Sequence, residues 1–235
     1  MDMNAVMLWA TPIVEVRNPD HHKIKDALVR YCYEMQNQAA QPIESNVTPL
    51  RKRALYESRF DFFTRQVPEI QSLRQFCGQA LSQSIFKLHQ QATRGREPIS
   101  GLVVDMHESW IHITKGDGGY HEVHTHANCS WCGIYYLEPG DCTMEPPDGI
   151  NRFFSPIEIL YEDFGTMAYP QKPVSWPPEE GKLVLFPSYV RHLAVPYHGK
   201  RDRIIVSFNS RTYLSPPGAQ PPQRQGNQVV QTVQG

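Results

Sequence analysis

After Gly101 the chain changes texture, and short β-type runs follow one another between turns rich in Gly, Pro and Asp. The runs are Leu102–Asp105, Trp110–Thr114, His121–His126, Trp131–Leu137, Phe153–Leu160, Lys182–Phe186, His192–Val195 and Arg203–Asn209, with Lys115-Gly116-Asp117-Gly118-Gly119 as a turn. Strands of this length and spacing predict a sandwich or barrel over residues 101–214.

The first hundred residues differ. Pro12–Val16 predicts a short strand at a sheet edge, where proline is tolerated. Asn18-Pro19 predicts a helix cap with proline at the first helical position. The helix that follows carries Ile24, Ala27, Leu28, Tyr31, Cys32 and Met35 three and four apart, one apolar stripe. Residues 38–50 are polar and proline-containing, a loop, and Leu50–Phe63 fits no single pattern. Its Arg51, Lys52 and Arg53 form a solvated face or meet an acidic partner. A second helix runs from Val67-Pro68 to about Gln91, with Ile70, Leu73, Cys77, Ala80, Leu81, Ile85 and Leu88 on one face. Helices ahead of a strand-rich half predict a mainly β fold with the helices packed on one sheet. With 235 residues and 40% hydrophobic content the chain can bury a full core, and a single domain over 1–214 is expected, 1–100 as helical prelude and 101–214 as β core. The Gln-rich tail, 215–235, lacks apolar periodicity and predicts disorder.

Charge narrows the partners. A net charge of −1 gives no footprint for nucleic acid or an anionic membrane, which leaves a small molecule or a protein. No apolar run approaches the ~18 residues of a membrane helix, and the N-terminus has no secretory pattern, so a cytoplasmic location is expected. Five scattered cysteines fit reduced thiols.

Two stretches carry chemistry. In Tyr120-His121-Glu122-Val123-His124-Thr125-His126, an extended backbone puts His124 and His126 on one face, shared by Glu122 and not by His121. His192, which follows the buried run Gly181–Ser188, supplies a third imidazole if the two strands lie side by side. Such a set suits iron, copper, nickel or zinc; with ten histidines in the chain, chance pairing is the plain alternative. In Arg203-Ile204-Ile205-Val206-Ser207-Phe208-Asn209, residues 203, 207 and 209 share a face, and an inward cation calls for an anion. That anion is a bound carboxylate, taken bidentately, or a buried acidic side chain. Arg201 is the second candidate for the same role.

Other motifs compete. Cys129-Ser130-Trp131-Cys132 beside the histidines raises a structural zinc site, although only one CxxC is present. His121-Glu122-Val123-His124 mimics a metalloprotease signature, but its histidines are three apart and not the four that HExxH needs on a helix.

The order His124-x-His126, Gly133-Ile134-Tyr135-Tyr136-Leu137, Gly181-x-Leu183-Val184-Leu185-Phe186-Pro187-Ser188-(x)3-His192, then Arg203–Asn209, with Trp110 ahead of the glycine-rich turn, resembles the 2-oxoglutarate and iron(II)-dependent oxygenases related to prolyl 4-hydroxylases. The resemblance covers most of residues 101–212. It implies a double-stranded β-helix (jelly-roll) whose metal ligands and catalytic centre are His124, His126 and His192. It also implies 2-oxoglutarate on the metal with Arg203 on its distal carboxylate, and Tyr136, Ser207 and Asn209 as helpers. The chain departs from the usual HxD or HxE at His126, so either three imidazoles hold the metal or a carboxylate such as Glu122 takes part. The implied reaction is oxidation of a substrate C–H bond with O2 as co-substrate and release of succinate and CO2, hydroxylation by default. Trp131, Tyr135, Trp176 and Tyr189 are candidate pocket walls, and the Cys142–Pro178 insertion a lid over a small metabolite or a peptide side chain. A metal-binding jelly-roll of cupin type, not using 2-oxoglutarate or not catalytic, is the rival reading.

Overall fold

The runs after Gly101 pair into two antiparallel sheets in a computed structural model that describes residues 10–39, 52–97, 99–157, 163, 172–214 and 230–232. The strands among them are β1 (Val14–Arg17), β2 (Lys52–Arg53), β3 (Leu55–Glu57), β4 (Leu102–Thr114), β5 (Gly119–His124), β6 (Trp131–Glu138), β7 (Asn151–Phe153), β8 (Val174–Trp176), β9 (Lys182–Pro187), β10 (His192–Tyr197), β11 (Arg203–Leu214) and β12 (Val230–Thr232). The larger sheet has the order β1-β9-β6-β11-β4-β12, with β3 also on β4; the smaller is β2-β5-β10-β7-β8. This is a jelly-roll core.

Both faces of the larger sheet are buried, which is why Ile134–Leu137 of β6, Leu183–Pro187 of β9 and Ile204–Val206 of β11 are continuous apolar runs rather than alternating ones. Period two divides their side chains. Tyr135, Leu137, Leu183, Leu185, Val206 and Phe208 face the helices and pack with Leu28, Cys32, Leu73, Cys77 and Leu81. Cys132, Ile134, Tyr136, Val184, Phe186 and Ile205 face the smaller sheet and meet Phe153. The helices are α1 (His21–Gln38) and α2 (Pro68–Thr93), and their expected stripes are the faces they bury. Burial pushes the Cys32 thiol up to about 12 and raises Cys77 too. Pro68 opens α2 as expected, but α1 starts later than the Asn18-Pro19 cap implied. Those residues form a turn in which Asn18 Oδ1 accepts the Asp20 N–H at 3.0 Å.

Several boundaries move. Leu102–Asp105 and Trp110–Thr114 are one strand, because β11 pairs through Glu108 and Ser109 and a bulge on β4 at Met106-His107 takes up one extra residue. Leu50–Phe63 supplies β2, β3 and the start of a 3-10 turn, Phe62–Thr64. Phe153–Leu160 is a strand only through Phe153; 154–157 leave the sheet and 158–160 lie outside the described residues. The insertion expected as a lid contributes β7 and β8 to the smaller sheet, while its residues 158–162 and 164–171 lie outside the described residues. So do most of the expected loop, Arg51 and the side chains of Lys52 and Arg53. Within the expected disordered tail, Val230–Thr232 pairs with Asp105–Val103 of β4. No helix among the described residues is long and apolar enough to cross a membrane.

Candidate metal centre

β5 and β10 run antiparallel with His124 opposite His192. Two residues further along β10 the partner of Ala194 is His121, so β5 carries one residue more than β10 over this stretch. That bulge reverses the expected alternation. Glu122 is exposed, and its carboxylate is not part of the histidine cluster. His121, expected on the far face, stacks on His124 with ring centroids 3.8 Å apart. His126 lies beyond the end of β5, held by its backbone N–H to the Ser188 carbonyl at 3.1 Å. Strand pairing thus places His124 and His192, and a loop contact places His126.

The ligand nitrogens of His124, His126 and His192 lie within 4.8 Å of one another. His126 Nε2 and His192 Nε2 are 3.4 Å apart, the roughly 3.0–3.4 Å of two nitrogens about 2.1 Å from one ion. His192 Nδ1 donates to the Val190 carbonyl at 3.0 Å and His124 Nδ1 to the Glu122 carbonyl at 2.7 Å. Each bond fixes a tautomer whose Nε2 carries the lone pair. Burial, with His124 and His126 adding to it, lowers the His192 pKa well below its ordinary value and keeps that imidazole neutral, the form a metal takes. The donor set fits iron(II), and equally other first-row divalent ions.

Arg203 lines the same cavity as the three histidines and is 2% exposed. Among the described residues no carboxylate lies within ion-pair distance of it, and its Nε has no hydrogen-bond partner. The buried structural ion pair weighed against an anion site is therefore not formed among the described residues. Nη2 donates to Asn151 Oδ1 at 2.8 Å, and the guanidinium lies 5.8 Å over the Tyr136 ring. Burial raises the Tyr136 pKa, so its hydroxyl remains a donor, to Asn151 Oδ1 at 2.9 Å. Ser207 lines the cavity too. Asn209, at the far end of the strand, is not in it: its amide binds Glu108 at 2.7 Å and accepts from the Cys132 thiol. Arg201 is exposed and paired with Asp141 at 2.8 Å.

The aromatic wall is also different. Tyr135 faces the helices and bonds His21, Trp131 packs on the same side, Trp176 packs on Phe153, and Tyr189 is 54% exposed. Trp110, Tyr120 and Phe186 line the cavity instead. Trp110 stacks on His126 at 5.9 Å. No zinc knuckle forms among the described residues: Cys132 lies within β6, the Cys129 and Cys132 sulfurs are 3.8 Å apart in a single hydrogen bond, and the metal-capable cluster excludes both. That bond lowers the Cys129 pKa and raises that of Cys132.

Sequence reasoning missed His112 and Asn151. His112 faces the cavity from β4, with Nε2 2.6 Å from Glu57 Oε2, a contact made by the pairing of β3 with β4. Its place after Trp110, on the same side of a strand, was a usable signal. Asn151 gave none, since it precedes the run expected as a strand.

Residues 108–209 match a family model described as "Putative 2OG-Fe(II) oxygenase". Searched by sequence, no curated protein matches the chain. Among solved structures, a prolyl-4-hydroxylase of Pseudomonas putida is similar at 16% identity and a TM-score of 0.54, covering 86% of this chain and 93% of that one. A prolyl hydroxylase of Trichoplax adhaerens, solved with a hypoxia inducible factor peptide, is similar at 15% identity and a TM-score of 0.52, covering 85% and 83%. HygX of Streptomyces hygroscopicus, solved with nickel and 2-oxoglutarate, is similar at 10% identity and a TM-score of 0.52, covering 86% and 83%. At these identities the likeness is one of fold. The family match spans the very strands that carry the histidine cluster and Arg203, so residues 108–209 are similar to the 2OG-Fe(II) oxygenases, enzymes whose cofactors are iron(II) and 2-oxoglutarate.

Proposed function

We propose that the protein is a dioxygenase that oxidises, by hydroxylation, a C–H bond of a small molecule, with His124, His126 and His192 as metal ligands and Arg203 as the anchor for the distal carboxylate of 2-oxoglutarate. The observation that carries this reading is a buried guanidinium without an acidic partner among the described residues, in one cavity with three convergent imidazoles. Bound there, iron(II) and 2-oxoglutarate would supply the oxidant by consuming O2, one oxygen atom going to the hydroxylated substrate and the other to the succinate that 2-oxoglutarate becomes with loss of CO2. The chain's own work is to bind, orient and exclude water. Backbone carbonyls of Glu122 and Val190 hold two imidazoles in the metal-binding tautomer. Arg203 takes a carboxylate through charge-assisted hydrogen bonds strengthened by burial. Trp110 braces His126, and Phe186 packs edge-on against His192 at 4.7 Å, shielding the ligand from water. The net charge of −1 favours a substrate that needs no cationic surface.

The test is an anaerobic titration of the full chain with iron(II) and then 2-oxoglutarate, followed by the visible charge-transfer band of the chelate. The band is expected in the wild type, absent in His192→Ala, and shifted to ~10–100-fold higher 2-oxoglutarate in Arg203→Ala. An iron-loaded, folded wild type without the band would favour a metal enzyme that does not use 2-oxoglutarate.

A further inference from the structure

Asn151 is 3% exposed on β7, opposite Ala194 of β10, and it makes three hydrogen bonds at the cationic end of the cavity. Its Oδ1 accepts from Arg203 Nη2 at 2.8 Å and from the Tyr136 hydroxyl at 2.9 Å, and its Nδ2 donates to the Leu193 carbonyl at 3.3 Å. The orientation of the amide is forced. A guanidinium only donates and a carbonyl only accepts, so oxygen must face Arg203 and nitrogen must face Leu193.

The choice of residue matters for charge. A carboxylate at this position would grip Arg203 more firmly, but it would also cancel the cation and leave little attraction for an incoming anion. A neutral amide aims the guanidinium and leaves its charge uncompensated, with Nε still unpartnered. Leu193 directly follows His192, so the same amide also fixes the guanidinium relative to the strand that carries the third imidazole. We propose that Asn151 is a positioning residue that gives the cavity its selectivity for a 2-oxoacid bearing a second, distal carboxylate. It rests on the reading of Arg203 as the 2-oxoglutarate anchor.

The experiment compares two ligands on the full chain loaded anaerobically with manganese(II). Calorimetry gives the dissociation constants of 2-oxoglutarate and of 2-oxobutanoate, which has the same 2-oxoacid head and no distal carboxylate. Their ratio measures the contribution of the anion end, expected at ~10–100-fold in the wild type. Asn151→Asp is expected to bring the ratio down to that of Arg203→Ala, and Asn151→Ala to reduce it ~5-fold or more, with 2-oxobutanoate binding within about threefold of wild type throughout. A residue that merely supports the fold would weaken both ligands together. A wild-type ratio in Asn151→Ala, or equal weakening of both ligands, overturns the proposal while leaving the function of Arg203 standing. The alanine variant decides the matter if the aspartate variant does not fold. A wild type with no preference, or an Arg203→Ala variant that keeps it, overturns the parent reading and this one with it.

Discussion

Gly133 sits where a β-carbon would lie 2.3 Å from two ring carbons of Phe208 on the neighbouring strand β11. The ring cannot withdraw, because Phe208 is fully buried and packed on Phe63 at 5.9 Å. Gly133→Ala is therefore expected to lower stability by about 1–3 kcal/mol, the usual cost of overpacking a filled core, measured as a fall in the denaturation midpoint without a change in slope. This glycine belongs to a run legible in the sequence, as do His124, His192 and Arg203, whose places follow from strand periodicity and register. His121 and Glu122 exchanged roles because one extra residue in β5 inverts the face of everything before it, and periodicity carries no trace of such an insertion. Asn151 was illegible for another reason: its function lies in contacts with three residues distant in the chain.

Elements dock through a few polar contacts as well as through their apolar faces, and the start of α1 is the plainest case. His21 is 7% exposed; its Nδ1 lies 2.7 Å from the Tyr135 hydroxyl on β6, and its Nε2 lies 3.1 Å from Glu180 Oε1. Tyr135 receives an N–H from Asn18, so its own proton goes to Nδ1, and Nε2–H goes to the carboxylate. That pattern needs a neutral ring. Burial holds the His21 pKa below its ordinary value, opposed by Glu180 and Glu138 and assisted by Lys25. Between that depressed value and about 6.5 the unfolded chain binds the proton and the folded chain does not. The contribution of His21 is thus complete above about pH 6.5 and is lost as pH falls through the folded-state value. Wild type and His21→Gln, compared by urea denaturation from pH 7.5 down to 5.5, should show a steeper loss of stability in wild type; parallel curves would remove His21 from the account. The two helices themselves were legible from their apolar spacing, but the docking was not, since nothing in a periodic stripe names Tyr135 or Glu180 as partners. The unity of β4 was hidden likewise, because its bulge interrupts the period-two signal that marks a strand.

At the scale of the molecule, the division into helical prelude and β core is a division of sequence texture and not of structure. The apolar cluster that contains Leu28, Leu73 and Leu81 of the helices also contains Ile111, Leu183, Leu185, Val206 and Phe208 of the larger sheet. The prelude further provides β1 on β9, β2 on β5 and β3 on β4, closing edges that would otherwise present unpaired backbone. We propose residues 1–214 as one domain, and two truncations test it. A fragment of residues 101–214 uncovers at least those five side chains of the sheet, each stabilised by roughly 1.5–3 kcal/mol when buried. Their sum is comparable to the ~5–15 kcal/mol by which a whole domain is stable. That fragment should show no cooperative melting and should aggregate through its exposed sheet. Among the described residues, removal of 215–235 costs the three pairs that β12 makes with β4, a contact at the sheet edge. The 1–214 chain should accordingly melt cooperatively within a few degrees of the full chain and bind manganese(II) with unchanged affinity, since the three histidines and Arg203 all lie before residue 215. A soluble, cooperatively folding 101–214 fragment would instead make the helices an accessory to a self-sufficient core.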